Sequence, residues 1–172
     1  AGLKIINLDV EEKPTGEISL GAGVGTSGGT VGGGIKENNF LGKGIKLNTD
    51  LQLSENSIKG QFVYEKPNFN YSDNSLFTSL RSTSSDNITD FGYKSSDIGV
   101  SIGTAFEQFE NLYFRPELDI AYETLETTST ASKNLKKQEA DYFDAYFNYS
   151  FEYDQRNKKF RADEGYRNIF YQ

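Results

Sequence analysis

The sequence predicts an all-β protein, an antiparallel transmembrane β-barrel in which about eight strands follow one another as a meander. Alternation of apolar and polar residues with a period of two recurs along the whole chain. Several apolar faces run for about nine to eleven residues, the length that a tilted strand needs to cross a bilayer. Aromatic residues gather near the predicted strand ends, as in the interfacial girdles of membrane barrels. These residues are Phe40, Phe69, Phe106, Phe109, Tyr113, Phe114, Phe151 and Tyr153.

The first predicted strand, Glu17–Thr26, separates large apolar residues from small ones. One face would carry Ile18, Leu20, Ala22 and Val24, and the other would carry Ser19, Gly21, Gly23 and Gly25. Eleven of the 17 glycines fall between Gly16 and Gly44. Two interpretations of this bias stand side by side: tight turns with close strand approach, or a deliberately weak first hairpin.

Alternation predicts four further strands in the first half of the chain and three or four in the second half. The first group comprises Thr30–Phe40, Ile45–Ser54, Ile58–Tyr64 and Ser75–Thr83, of which Ile45–Ser54 is the clearest. The second group comprises Asp97–Phe106, Phe114–Glu123 and Tyr142–Asp154, with a ninth strand starting at Asn168. Longer loops are predicted over Ser84–Gly92 and Glu126–Glu139, the second with one short helix within Ala131–Ala140.

A soluble β-sandwich also has alternating strands, so the polar faces must distinguish it from a barrel. Here they are dense in charge of both signs, as suits the wet lumen of a barrel. On the predicted strands Glu117, Asp119, Glu123, Asp144 and Glu152 would share one face, neutralised by Arg115 and water. A hydrolase pair among these carboxylates is the less favoured interpretation. A secreted sandwich that binds ligands stays as an alternative fold.

The composition excludes most catalytic chemistry. The 172 residues include no His and no Cys, which removes the common general base, thiolate chemistry and the usual zinc ligands. A net charge of −7 argues against a nucleic-acid partner. No Met is present, which suggests a processed chain or a piece of one. Gly23–Gly28 matches a dinucleotide-binding pattern, but a predicted strand follows it where a helix is required. We therefore expect no enzyme activity, no metal and no cofactor.

Four short motifs occur in order along the chain. Glu12–Gly16 contains Pro14 and precedes the first strand, and Asn38–Gly44 contains Phe40, Leu41, Gly42 and Gly44 and follows the second. Tyr64–Phe69 contains Pro67 and ends the fourth strand. Tyr153–Asn157 contains Asp154 and Arg156 and is followed by Phe160, Gly165 and Tyr166. Together these motifs resemble the BamA-type outer-membrane insertases, also called the bacterial surface antigen family. Arg161-Ala162 departs from the family pattern, which has Pro-Thr at this point.

The resemblance implies a domain organisation. Residues 1–16 would be the end of the last POTRA domain and its junction, with the last POTRA strand as Leu3–Glu11. Residues 17–172 would be the N-terminal half of the barrel, about half of sixteen strands, because family barrels continue for about as many strands again after Gln172. The POTRA domains and the closing strand would lie outside this chain.

The resemblance also implies a function without catalysis or cofactor: insertion of other β-barrel proteins into the bacterial outer membrane through a lateral seam. The seam strand would be Glu17–Thr26, with Ile18, Leu20, Gly21, Ala22, Gly23, Val24 and Gly25 as its gate residues. Expected partners are outer-membrane lipid, unfolded outer-membrane clients and periplasmic accessory proteins held by the POTRA domains. A related translocation barrel for two-partner secretion or autotransporters, and a small complete eight-stranded barrel with a structural or adhesive role, are the alternatives.

The predicted meander also fixes which connections share a side. Glu126–Glu139 should lie on the extracellular side with Ser27–Gly29, opposite Leu41–Gly44 and Pro67–Ser72, because an even number of crossings separates the first two. The first and last complete strands would each keep one free edge. In lipid such an edge is costly, so an isolated chain would close on itself, pair with a second copy or pair with the missing half.

Overall fold

The structure is a computed structural model that describes residues 9–11, 13–25 and 28–172. Most of the predicted POTRA strand Leu3–Glu11 lies outside the described residues. So do Glu12 of the junction and the two residues, Thr26 and Ser27, between the first two strands.

Nine strands form one antiparallel sheet in which each strand pairs with its neighbours in sequence. The strands are β1 (Gly16–Gly25), β2 (Gly28–Phe40), β3 (Ile45–Ser54), β4 (Ser57–Lys66), β5 (Ser75–Asn87), β6 (Tyr93–Phe109), β7 (Leu112–Thr127), β8 (Ala140–Asp154) and β9 (Arg167–Tyr171). The predicted all-β antiparallel meander is therefore confirmed.

Short helical turns interrupt the connections. They are a 3₁₀ turn over Phe69–Tyr71 and the helices α1 (Ile88–Phe91) and α2 (Lys133–Lys136). The helix predicted within Ala131–Ala140 is thus present as α2, where the Ser132 hydroxyl caps the first turn by accepting the Leu135 N–H at 3.2 Å. In the described ranges, no helix is long and apolar enough to span a membrane.

The strand register joins the apolar faces into one continuous surface. Phe62, Leu80, Val100, Ile120 and Ala145 are successive Cα partners across β4, β5, β6, β7 and β8. Because paired residues point to the same side of a sheet, this row is shared by five strands. The predicted face assignment of these strands holds throughout.

The exposure of the two faces of the sheet is the reverse of that in a soluble protein, because apolar side chains are exposed and polar ones are buried. Large residues of the apolar face are open: Leu80 is 53% exposed, Ile98 63% and Phe147 64%. On the other face Ser101 and Asp119 are buried. A sandwich would bury its apolar face against a second sheet, whereas the described residues form a single sheet. The soluble sandwich is therefore excluded, and the apolar surface fits contact with lipid.

The two outermost strands of the described sheet, β1 and β9, each have one edge without a partner. Within the described ranges β1 pairs only with β2, and β9 pairs only with β8. The described strands therefore do not form the closed eight-stranded barrel considered as an alternative. An open wall of nine strands is what half of a larger barrel would present.

Most strand boundaries differ from the prediction by a few residues. A ninth strand, β9, is present and starts one residue earlier than expected. The first four residues of the predicted loop Ser84–Gly92 belong to β5, which continues to Asn87, and the next four form α1. Strand β6 begins at Tyr93, four residues before the predicted start. These extensions are rich in Ser and polar on both faces, so no alternation marks them. Pairing with the neighbouring strand, as between Ser85 and Ser95, keeps them extended.

Candidate functional site

The first strand, β1, is exposed along its whole length. All ten of its residues are exposed, and Leu20 and Val24 reach 87% and 92%. Its second edge has no partner among the residues that the structure describes. Unpaired N–H and C=O groups along such an edge are a template for another strand.

The glycines of the first hairpin fall into two groups. In β1, a Cβ at Gly21, Gly23 or Gly25 would meet nothing within 4 Å. In β2, a Cβ at Gly33 would lie 2.9 Å from Leu20 Cδ2, and one at Gly34 would lie 2.8 Å from Asp50 Oδ1. Gly33 and Gly34 of β2 therefore lie where neighbouring strands pack closely, whereas Gly21, Gly23 and Gly25 of β1 leave the lumen side of the free edge open. The close approach at Gly33 and Gly34 agrees with the first interpretation of the glycine bias, and the weak first hairpin stays a prediction.

The described residues of the four sequence motifs lie at one end of the sheet. Pro14 precedes β1 and is exposed, and Gly16 opens β1 opposite Glu37. Phe40 ends β2, and the turn that follows has Leu41, Gly42 and Gly44 at φ values of 56°, 67° and 65°. Such left-handed values explain the two glycines. Pro67 directly follows β4.

The connection after β8 is built by the last motif. Arg156 donates to both carboxylate oxygens of Asp154, from Nε at 2.8 Å and from Nη2 at 2.7 Å. This bidentate pair with Asp154 raises the pKa of Arg156. Gly165 has a φ of 90°, and a Cβ there would lie 2.1 Å from the Gln155 carbonyl oxygen. The Gln155 N–H donates to the Tyr166 carbonyl at 2.9 Å, which brings the two ends of the turn together.

A polar cluster on the lumen face was not predicted from the sequence. Arg81 on β5 donates from Nε to Asp97 Oδ1 at 3.1 Å and from Nη2 to Asp119 Oδ1 at 2.9 Å, with a second bond from Nη1 to Asp119. The guanidinium crosses β6 at Gly99, where a Cβ would lie 2.4 Å from Arg81 Cζ. One arginine thus bridges three strands.

A second large side chain of β5 packs over a glycine of β6, four residues further along both strands. The buried ring of Phe77 passes over Gly103, where a Cβ would lie 2.2 Å from the ring. The Arg115 guanidinium lies 3.7 Å from the centre of that ring. The prediction that Arg115 neutralises the lumen carboxylates is therefore wrong, because Arg115 stacks on an aromatic ring. Arg81 forms ion pairs with Asp119 and Asp97 instead. Arg167 forms an ion pair with Glu152. The signal in the sequence was the pair Gly99 and Gly103, two glycines on the polar face of one strand.

An open antiparallel wall with an apolar outer face, a charged inner face and an unpartnered first strand defines a segment of a membrane-spanning β-barrel. A family model described as the Omp85 superfamily domain matches residues 39–171. The chain therefore belongs to the Omp85 superfamily, a family of bacterial outer-membrane proteins that insert or translocate other proteins.

A solved structure supports the fold. The chain is similar to BamA from Haemophilus ducreyi lacking POTRA domains 1–3, with a TM-score of 0.66 and 24% sequence identity. The match covers 94% of this chain and 34% of that one, so the chain spans about a third of that structure's length. Comparison with curated proteins gave no match. The family resemblance predicted from four motifs is confirmed at the level of the Omp85 superfamily, and the chain has the fold of the BamA barrel.

Proposed function

We propose that this chain is the front wall of an outer-membrane insertase and that β1 is its lateral gate. The observation that carries the proposal is the free edge of β1. All ten residues of this strand are exposed, its outer row is apolar, and on the side away from β2 it has no partner in the described sheet. A client strand can add to this edge through main-chain hydrogen bonds.

The chemistry of the gate suits strands of unfolded barrel proteins. Ile18, Leu20, Ala22 and Val24 form the outer row, so an added strand with alternating residues would continue the lipid-facing surface. The activity needs no covalent step, and so no catalytic residue, metal or cofactor is proposed. Lipid, clients and accessory proteins bound by preceding POTRA domains are the proposed partners. An isolated chain is expected to self-associate through its open edges.

A disulfide lock tests the gate in the full-length protein. Ser19→Cys on β1, combined with cysteines along the last barrel strand, should crosslink the seam and stop client insertion. The same protein under reducing conditions, and Ser19→Cys alone, are the controls and should insert clients normally. If the locked protein inserts clients at the normal rate, β1 is ordinary barrel wall. If instead it still exports a passenger through the lumen, the translocation alternative is correct.

A further inference from the structure

The pairing of β1 with β2 is poorly specified by side chains. Seven of its ten Cα partner pairs contain at least one glycine. Register is weakly determined in glycine-rich strands, because few side chains interlock. A slide of two residues would keep every apolar residue on its own face. In the shifted pairing Ser27 and Gly28 would connect the strands, and a Ser-Gly pair suits a two-residue turn.

Thr15, the residue directly before β1, forms several hydrogen bonds with residues of β2. The Glu37 carboxylate accepts hydrogen bonds from the Thr15 hydroxyl and, at 2.7 Å, from the Asn39 N–H. Asn38 donates to the Thr15 carbonyl oxygen from its N–H at 3.3 Å and from Nδ2 at 3.1 Å. Along the rest of the described hairpin, the side-chain bond between the two strands is Ser19 Oγ to the Gly34 carbonyl at 3.4 Å.

The local backbone is shaped to allow these contacts. The pairing of β2 with β3 shifts between Glu37 and Phe40, which releases Asn38 and Asn39 from the ladder. Asn39 Oδ1 then accepts the Gly44 N–H at 2.6 Å and anchors the following turn. Gly16 leaves room for the carboxylate, since a Cβ there would lie 3.0 Å from Glu37 Oε2.

We propose that Glu37 is a positioning residue that sets the register of β1 by holding Thr15. The register matters because a slide of two residues would move the free edge about 7 Å along the sheet. A strand that pairs with this edge would then meet its partners at the wrong height in the membrane. This consequence rests on the proposed gate function, whereas the register itself can be measured without it.

Two cysteine pairs distinguish the registers, and both leave residues 15, 37, 38 and 39 unchanged. Cys at Lys36 with Cys at Glu17 reports the observed register, in which these two residues are Cα partners. Cys at Lys36 with Cys at Ser19 reports the register shifted by two. In the observed register the second pair is diagonal, at about 7–8 Å between Cα atoms, which exceeds disulfide reach.

The variants are made in the full-length protein in lipid, and the yields of the two disulfides are compared. With Glu37 present, only the 17–36 disulfide should form. Glu37→Ala should raise the ratio of the 19–36 to the 17–36 disulfide at least about tenfold, because a charge-assisted hydrogen bond is lost. Thr15→Val, which removes the hydroxyl and keeps the shape, should move the ratio in the same direction. Glu37→Gln should restore the observed register, because its amide oxygen can accept the same bonds.

Glu107→Ala is the matched control. Glu107 also lies at a register shift near the same end of the sheet, and it accepts the Asn111 N–H at 2.6 Å without touching the start of β1. It should leave the disulfide ratio unchanged. An unchanged ratio in both Glu37→Ala and Thr15→Val, or an equal change in Glu107→Ala, would overturn the proposal. A shifted register with normal client insertion would instead leave the positioning role intact and refute the gate function.

Discussion

Arg81 holds three strands of the lumen wall together through contacts with two carboxylates. Asp119 is buried, so removal of the guanidinium leaves a charge without its partner. We expect Arg81→Ala to lower the free energy of unfolding by about 1–3 kcal/mol. Arg81→Lys should recover only part of the loss, because an ammonium cannot form the bidentate contact. Urea midpoints of the refolded variants in detergent measure both effects.

Gly99 allows a direct check of this assignment. Gly99→Ala places a methyl group where the guanidinium lies, so its cost should fall when Arg81 is already Ala. Gly60→Ala on β4 is the matched control, since a Cβ there meets only Leu51 Cδ1 at 3.8 Å. Additive effects of Gly99→Ala and Arg81→Ala in a double-mutant cycle would contradict the packing of the Arg81 guanidinium over Gly99.

Side-chain partners at this scale could not be derived from the sequence. Alternation placed Asp119 and Arg115 on the lumen face correctly. It could not show that Arg81, thirty-eight positions before Asp119, reaches it, because that contact depends on the registers of two strand pairs. The same holds for Glu37 and Thr15, which are brought together only by the β1–β2 pairing and the shift in β2.

At the scale of a single element, each strand has one face toward lipid and one face toward water. Substitutions on the two faces of β3 test this assignment. Leu51 and Asp50 are adjacent and lie on opposite faces. Leu51→Arg should cost roughly 2–4 kcal/mol near the bilayer midplane, whereas Asp50→Arg should cost much less. Urea midpoints after refolding into lipid provide the comparison. Equal penalties would contradict the face assignment.

Strand positions followed well from alternation, and strand ends followed poorly. The centres of β1 to β8 all lie within predicted strands, since there one face is apolar. Beyond the apolar band both faces are wet, as in the Ser-rich end of β5, and the pattern disappears although pairing continues. The length of β5 and β6 beyond their apolar parts was therefore not predictable.

At the scale of the whole molecule, the sheet is an open wall whose outer row is apolar from β1 to β8. The meander places the turn after β2, the turn after β4 and the connection after β8 at one end. It places α1 and the loop that contains α2 at the other end. This agrees with the predicted separation of Glu126–Glu139 from Leu41–Gly44. Which end faces the cell exterior stays a prediction.

The central claim is that this wall separates lipid from an aqueous lumen, and thiol labelling tests it most directly because the chain contains no cysteine. Single cysteines are placed on β5 and β6 in the full-length protein in lipid vesicles. Leu80 on β5 and Ile98 on β6 are the outward sites, and Ser79 and Thr83 on β5 are the inward sites. Fluorophores at the outward sites should be quenched by a lipid-attached quencher and protected from aqueous iodide. Those at the inward sites should show the reverse. Equal quenching of the outward and inward sites by either quencher would contradict the account, and so would protection of the inward sites from iodide by lipid.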